Sequence, residues 1–321
     1  MASSVPSKIL VIGATGVIGK YITTAILAAK PRLSSLSHIS ILTSPGTASN
    51  PAKQALLSSW KSQGLTVITG DINSADDVRK AYKDVDTVVS CLGRTGLLEQ
   101  IELLRLAEES DSVQWFFPSE YGTDIEYDET SKDEKPHQNK LKVRKFIREN
   151  VKKVKITYVV TGPYADMFLE YKPGAEAGGG YDWKKKKAVL IGEGDDRIGF
   201  TTMPDVGKFV AAALASPQAS QGRILRVQSF VRTQSDILAE FEKQTASKFE
   251  VKYTSKAELR ETEKRLWDEG NPLATGFTLR RIWSDGKTLY EKTDNERLGV
   301  KPDDLEPLSA VVERAVMGKG Y

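Results

Sequence analysis

One cysteine and two histidines in 321 residues leave few ways to build a covalent or metallic framework. A lone thiol, Cys91, cannot close an intrachain disulfide or supply a cysteine zinc cage, and His38 and His137 are too few for a histidine site. No metal is expected. Long apolar runs are missing too. No stretch approaches the roughly 20 residues that span a bilayer, and the opening residues 1–8 carry no apolar signal core. The expectation is a soluble, cytoplasmic chain without a membrane partner. Charge of one sign is also scarce, because 46 basic against 43 acidic residues leave only +3. That excess is too small for a protein whose task is to neutralise a phosphate backbone, so nucleic acid is not an expected partner.

What is present is alternation. Short apolar runs separated by amphipathic stretches predict βαβ units feeding a parallel sheet buried on both faces, a Rossmann-type doubly wound α/β fold. Strands are expected at 8–12, 39–43, 65–69, 87–91, 114–117 and 156–160. From Ile18, the residues Ile22, Ala25, Ile26 and Ala29 recur at helical spacing until Pro31 stops the helix. Later segments predict a strand at 188–191 and helices at 204–215, 234–245 and 305–317. Between them, residues 172–187 hold Pro173, Gly174, Gly178 to Gly180 and four successive lysines, and are expected to form an exposed excursion.

Directly after the first strand stands Gly13-Ala14-Thr15-Gly16-Val17-Ile18-Gly19, with the helix beginning inside it. Gly13 would permit the tight turn, Gly16 would let backbone amides approach a pyrophosphate at the positive helix end, and Gly19 would let helix and strand pack closely. The spacing, G-x-x-G-x-x-G, predicts a bound dinucleotide. At the end of the second strand an acid would hold an NAD ribose and repel the extra phosphate of NADP. Here Thr43 and Ser44 stand instead, and Lys53 arrives before any carboxylate, which favours NADP(H).

Further segments carry a resemblance. They are Asn50-Pro51-Ala52-Lys53, Thr69-Gly70-Asp71-Ile72, Val88-Val89-Ser90-Cys91-Leu92-Gly93, Phe116-Phe117-Pro118-Ser119-Glu120-Tyr121-Gly122 and Asn139-Lys140-Leu141-Lys142-Val143-Arg144. Together with Thr161-Gly162-Pro163-Tyr164 and Thr202-Met203-Pro204-Asp205, they resemble the NmrA-like and isoflavone-reductase-like branch of the atypical short-chain dehydrogenases and reductases, nearly end to end. The resemblance implies an NADP-binding Rossmann domain at 1–162, with return segments near 203–230, and a smaller α/β substrate domain from 163–202 and 231–321. By motif position, Lys53 would contact the adenosine phosphate, and Asp71 and Ile72 would lie near the adenine. Cys91, Leu92 and Gly93 would line the middle of the cofactor, with Gly162, Pro163 and Tyr164 beside the nicotinamide. Lys140 would be the catalytic lysine. The plant reductases of this branch usually carry arginine where this chain has Thr43, and asparagine or cysteine before an aromatic where it has Gly162-Pro163-Tyr164.

Helical phase bears on Lys140 separately, since at 100° per residue it lies about 20° from Ile147, flanking the stripe of Val143, Phe146 and Ile147. A lysine partly withdrawn from water loses proton affinity and becomes apt for acid–base work. His137, three residues earlier, and Glu120, after the fifth strand, are further candidates for proton transfer. Tyr181 and Lys185 match the short-chain Tyr-x-x-x-Lys spacing but lie beyond the strand where that pair belongs. Tyr121, Tyr164, Met167, Phe168 and Trp183 are candidates for an apolar pocket receiving a hydrophobic or aromatic small molecule, with Met167 and Phe168 equally suited to the core. These features predict an NADPH-dependent reductase. Two alternatives stay open: a non-catalytic NADP(H) redox sensor with a protein partner, and a redox-neutral cyclisation or isomerisation that uses bound NADP.

Overall fold

The computed structural model describes residues 5–33 and 35–318, so residues 1–4, 34 and 319–321 of the expected domain ranges lie outside the described residues. The first half runs β1 (Lys8–Ile12), α1 (Gly19–Ala29), β2 (His38–Thr43), α2 (Pro45–Ala48), α3 (Pro51–Ser62), β3 (Leu65–Thr69) and α4 (Ala75–Tyr82). It continues with β4 (Thr87–Ser90), α5 (Gln100–Glu109), β5 (Trp115–Phe117), α6 (Gln138–Asn150) and β6 (Lys155–Val160). The six strands expected here form within one residue of their expected bounds. The second half holds α7 (Ala165–Phe168), β7 (Gly180–Asp182), β8 (Lys187–Ile191), β9 (Ile198–Phe200), α8 (Met203–Ala215), α9 (Pro217–Ser220) and β10 (Arg223–Arg226). After these come β11 (Phe230–Arg232), α10 (Gln234–Thr245), β12 (Glu250–Thr254), α11 (Lys256–Asp268), α12 (Ala274–Ser284) and α13 (Leu308–Val316).

Seven strands form one sheet in the order β10-β6-β5-β4-β1-β2-β3, every neighbour parallel. Because successive strand residues face opposite sides, β1 feeds two cores. Ile9 and Val11 join Ile22, Ile26, Trp60, Val206 and Phe209 beneath α1, α3 and α8. Leu10 and Ile12 join Val78, Leu103, Leu104, Val143 and Ile147 beneath α4, α5 and α6. Burial on both faces explains why these strands read as continuous apolar runs. Strand order reverses direction between β1 and β4, and in such sheets the crevice outside the carboxyl ends at that point receives ligands. On one flank α8 lies against α1 so closely that a Cβ at Gly207 would stand 2.5 Å from the Tyr21 carbonyl oxygen.

The remaining elements build a smaller layer. There β8 pairs with β12 in parallel and with β7 in antiparallel, while β9 pairs with β11. Phe168, Tyr181, Leu190, Phe200, Phe241 and Val312 fill its core. Residues 172–187 correct the expectation of an exposed excursion, because Gly178 to Tyr181 are buried and β7 lies among them. The glycines there serve close approach: a Cβ at Gly180 would fall 2.3 Å from the Glu170 carbonyl oxygen. Tyr181 stacks on Phe241 at 5.2 Å and donates its hydroxyl hydrogen bond to the Gln234 carbonyl at 2.8 Å, while Lys185 is exposed and pairs with Asp182. The Tyr-x-x-x-Lys spacing is therefore a coincidence of sequence.

Candidate functional site

The glycine turn has the geometry of a cradle. Gly13 holds φ at +76°, a region that side chains rarely adopt, and a Cβ there would stand 2.7 Å from the Cys91 carbonyl oxygen. At Gly19 a Cβ would be 2.1 Å from the Gly13 oxygen, so this glycine is what lets α1 start against the turn. Gly16 is exposed; a Cβ there would meet the Gly13 oxygen at 3.1 Å, and its own amide donates to that oxygen at 3.0 Å. Thr15 and Ile18 are half-buried and Val17 is exposed. Ile18 ends the turn, and no side chain caps the first amides of α1. Across the crevice, a Cβ added at Gly93 would touch nothing within 4 Å. Open space beside an uncapped helix start fits an anionic linker.

At the outer end of the crevice Lys53 reaches back from α3 and donates to the Thr15 carbonyl at 3.0 Å. Sequence separation of 38 residues thus closes to one contact, bringing a cation to the edge of the glycine turn. Asn50 caps that helix through the Ala52 amide, and exposed Ser44 caps α2 through the Thr47 amide. Thr43 is half-buried at the end of β2. Asp71 is exposed, accepting from the Asn73 amide at 2.9 Å, and Ile72 packs partly on the core. Cys91 is buried, which pushes its thiol pKa up and makes it a wall residue instead of a nucleophile. Leu92 is half-buried beside it.

Lys140 lies in the first turn of α6, its side chain 16% exposed. The ammonium donates to the Glu120 carbonyl at 2.7 Å and stands 3.9 Å from Glu120 Oε2. Burial lowers its pKa from the ordinary lysine value, opposed first by the Glu120 charge. Lys142, two residues on, is exposed. Glu120 and buried Tyr121 follow the carboxyl end of β5, so the loop that fixes Lys140 opens onto the crevice. His137 is buried and turned the other way: its Nδ1–H donates to the Ser131 carbonyl at 3.0 Å, and its ring meets Tyr127 edge-on. Its Nε2 is buried without a partner, and desolvation lowers its pKa. Among the described residues no hydrogen bond joins His137 to Lys140, although the lysine's charge is one of those that act on the imidazole; the chain enters α6 through a 3-10 turn at Lys135–His137.

On the far side, Tyr164 donates its hydroxyl to the Tyr121 carbonyl, tying the segment after β6 to the loop after β5. Gly162, buried with Pro163, holds φ +65° and would place a Cβ 3.0 Å from the Gly199 oxygen. Phe168 is a core residue, packed edge-on against Phe200 at 4.8 Å and beneath the Arg280 guanidinium at 3.8 Å. Trp183 is half-buried against the same cluster, and Met167, next to Phe168 in the chain, is half-buried. Sequence reasoning missed three residues that frame this region. Arg144 is buried among carboxylates, Trp283 donates to Thr123 Oγ1 at 2.9 Å, and Arg281 pairs with Glu134 at 2.7 Å. Only Arg144 left a signal, since it follows Lys140 by four residues and therefore shares its helix face.

The sequence profile of the NmrA-like family matches residues 6–265. An isoflavone reductase homolog of Solanum tuberosum is 29% identical over 92% of this chain and 90% of its own. A phenylcoumaran benzylic ether reductase of Ginkgo biloba is 29% identical over 94% of each chain. Among solved structures, a leucoanthocyanidin reductase of Vitis vinifera in binary complex with NADPH superposes with a TM-score of 0.80 at 19% identity, over 97% of this chain and all of that one. An isoflavone reductase does so with a TM-score of 0.77 at 24% identity, over 97% and 99%.

Proposed function

The chain belongs to the NmrA-like family, and on that premise we propose that it is an NADPH-dependent reductase of hydrophobic, aromatic small molecules, with Lys140 handling the substrate proton. The observation that carries this reading is one partly desolvated lysine, pinned to the Glu120 carbonyl after the carboxyl end of β5 in a sheet whose glycine turn after β1 fits a dinucleotide. Gly13, Gly16 and Gly19 shape the pyrophosphate seat, and Lys53 supplies the cation for the adenosine phosphate. NADPH, when bound, supplies hydride. Lys140 then meets charge developing on the substrate with a group whose proton affinity burial has already lowered. Relatives named for reduction of isoflavone and benzylic ether skeletons support an aromatic substrate. The part built around β7 to β9 and α10 to α12 would receive it, with Tyr121, Tyr164, Met167 and Trp183 at its entrance. Among the described residues no helix is long and apolar enough to cross a membrane.

The test is Lys140→Ala. If the lysine acts as charge develops, its loss removes turnover of an aromatic substrate panel, while NADPH affinity stays within roughly tenfold, about 1.4 kcal/mol. Lys142→Ala, on an exposed position, should leave both unchanged. Full activity of Lys140→Ala, or damage from Lys142→Ala, would refute the assignment. Wild-type protein that binds NADPH and turns over no member of the panel would refute the enzyme reading.

A further inference from the structure

Behind Lys140 lies a buried ion cluster centred on Arg144, whose side chain is 1% exposed. Its Nε donates to Glu120 Oε1 at 3.0 Å, its Nη1 donates to Glu126 Oε2 at 2.7 Å, and Nη1 stands 3.7 Å from Asp124 Oδ1. Asp124 in turn accepts from Arg226 at 2.9 Å, and Glu126 accepts from Arg148 at 2.9 Å. The guanidinium also lies over the Tyr158 ring at 4.7 Å. These contacts immobilise Arg144 and, through Oε1, the Glu120 side chain.

The way Glu120 is held is informative. A bidentate fork would join Nε and Nη2 of the arginine to both carboxylate oxygens. Here Nη2 and Oε2 are both buried without a hydrogen-bond partner among the described residues, an arrangement that costs stability. Oε2 is turned instead toward Lys140, 3.9 Å from its ammonium. The carbonyl of the same residue accepts from that ammonium at 2.7 Å. Glu120 therefore acts on Lys140 twice: a dipole fixes its place, and a carboxylate in a site withdrawn from water acts on its charge.

We infer that Glu120 is a positioning residue which, anchored by Arg144, holds Lys140 in place and sets the pH at which that lysine exchanges its proton. The inference rests on Lys140 being the proton-handling group. Other charges acting on the lysine include Arg144 and Arg94, which disfavour its ammonium, and Asp124, which favours it; buried His137 is a further titratable neighbour. Glu120 is the strongest of the charges that favour the ammonium. Removing its charge must therefore move the Lys140 midpoint to lower pH, whether the reaction uses the ammonium or the amine.

Glu120→Gln keeps the carbonyl and an acceptor for Arg144 while deleting the charge. The readout is a carbon-13 NMR titration of the Lys140 Cε in the full chain, alone and with NADP+, which needs no substrate. The expected result is a midpoint lowered by about one unit or more, with NADP+ affinity within about threefold of wild type. Glu120→Asp, which keeps the charge but withdraws it by one methylene, should shift the midpoint less and in the same direction, and serves where the glutamine variant does not fold. A midpoint that is unmoved or raised in a folded variant overturns the inference. Should Lys140→Ala abolish turnover while Glu120→Gln leaves the midpoint in place, Glu120 loses this role and the functional reading stands. Active Lys140→Ala enzyme refutes the functional reading itself.

Discussion

Alanine substitution along the crevice separates glycines that hold the fold from glycines that leave room for a ligand. At Gly19 the added Cβ would stand 2.1 Å from the Gly13 oxygen and 2.8 Å from the Ala14 oxygen, both backbone atoms that cannot swing aside. Overpacking of this kind costs about 3 kcal/mol or more. For a chain of this size that corresponds to a melting temperature lower by roughly 5 °C or more. At Gly16 the contact is 3.1 Å from one oxygen, which a shift of a few tenths of an ångström relieves, so the loss should be ~1 kcal/mol. Gly93 has no neighbour for a Cβ within 4 Å, and its φ of −72° and ψ of 176° suit alanine. Gly93→Ala should melt like wild type or up to about 2 °C higher. Its methyl group nevertheless enters the proposed dinucleotide path, so NADPH affinity should fall by about tenfold, ~1.4 kcal/mol. Differential scanning fluorimetry and calorimetric titration on the three variants test both rankings. A Gly19→Ala protein as stable as wild type would refute the close approach of α1 to the turn. Unchanged NADPH affinity in Gly93→Ala would remove that space from the binding path.

Two further outcomes are expected. Lys53→Ala should weaken NADPH by roughly ten- to a hundredfold, the ~1.5–3 kcal/mol of a charge-assisted hydrogen bond, while NADH changes little; equal losses by calorimetry would deny Lys53 the phosphate. Arg280 donates from Nη2 to the Phe168 carbonyl at 2.7 Å while its Nη1 is buried without a partner among the described residues, and Arg281 beside it is paired with Glu134 and Glu263. Arg280→Met, which gives up one hydrogen bond to a carbonyl, should cost about 1–2 kcal/mol, and Arg281→Met about 3–5 kcal/mol by stranding two carboxylates; the reverse order would sink this account of the cluster.

The first half of the fold is legible because its chemistry is local. Parallel strands buried on both faces, such as Ile9 to Ile12, must be apolar throughout, and a glycine turn between strand and helix leaves a fixed pattern. In the second half the strand expected at 188–191 and the helices expected at 204–215, 234–245 and 305–317 form as β8, α8, α10 and α13, while the other elements are hidden. The helix α11 buries Leu259, Glu263 and Leu266, so a charged residue interrupts the stripe that periodicity would find. The buried face of α12 includes Thr278 and Ser284 for the same reason. Strands β9 and β11 have three residues each, below the length at which alternation can be seen. At the site, helical phase puts Lys140 on the flank of an apolar stripe, and the family resemblance is what singles it out. Arg144 could be found only by asking what an arginine four residues on would pair with, since its partners lie 18 to 24 residues away in a loop without regular pattern.

That loop, residues 120–137, is held from two directions, so the lysine it positions is held without belonging to a strand. From beneath, Arg144 on α6 takes hold of Glu120, Asp124 and Glu126. From the smaller layer, Trp283 bonds Thr123, Arg281 pairs with Glu134, and Lys287 pairs with Asp128. Trp283 and Arg281 stand on α12, and Lys287 follows its end, so this helix and the residues just after it grip the loop at three points. Lys140 takes its position from the Glu120 carbonyl in that loop. The contacts of α12 thus lead, through the backbone between Thr123 and Glu120, to the lysine, so the proposed substrate side and the proposed proton site are tied to one loop.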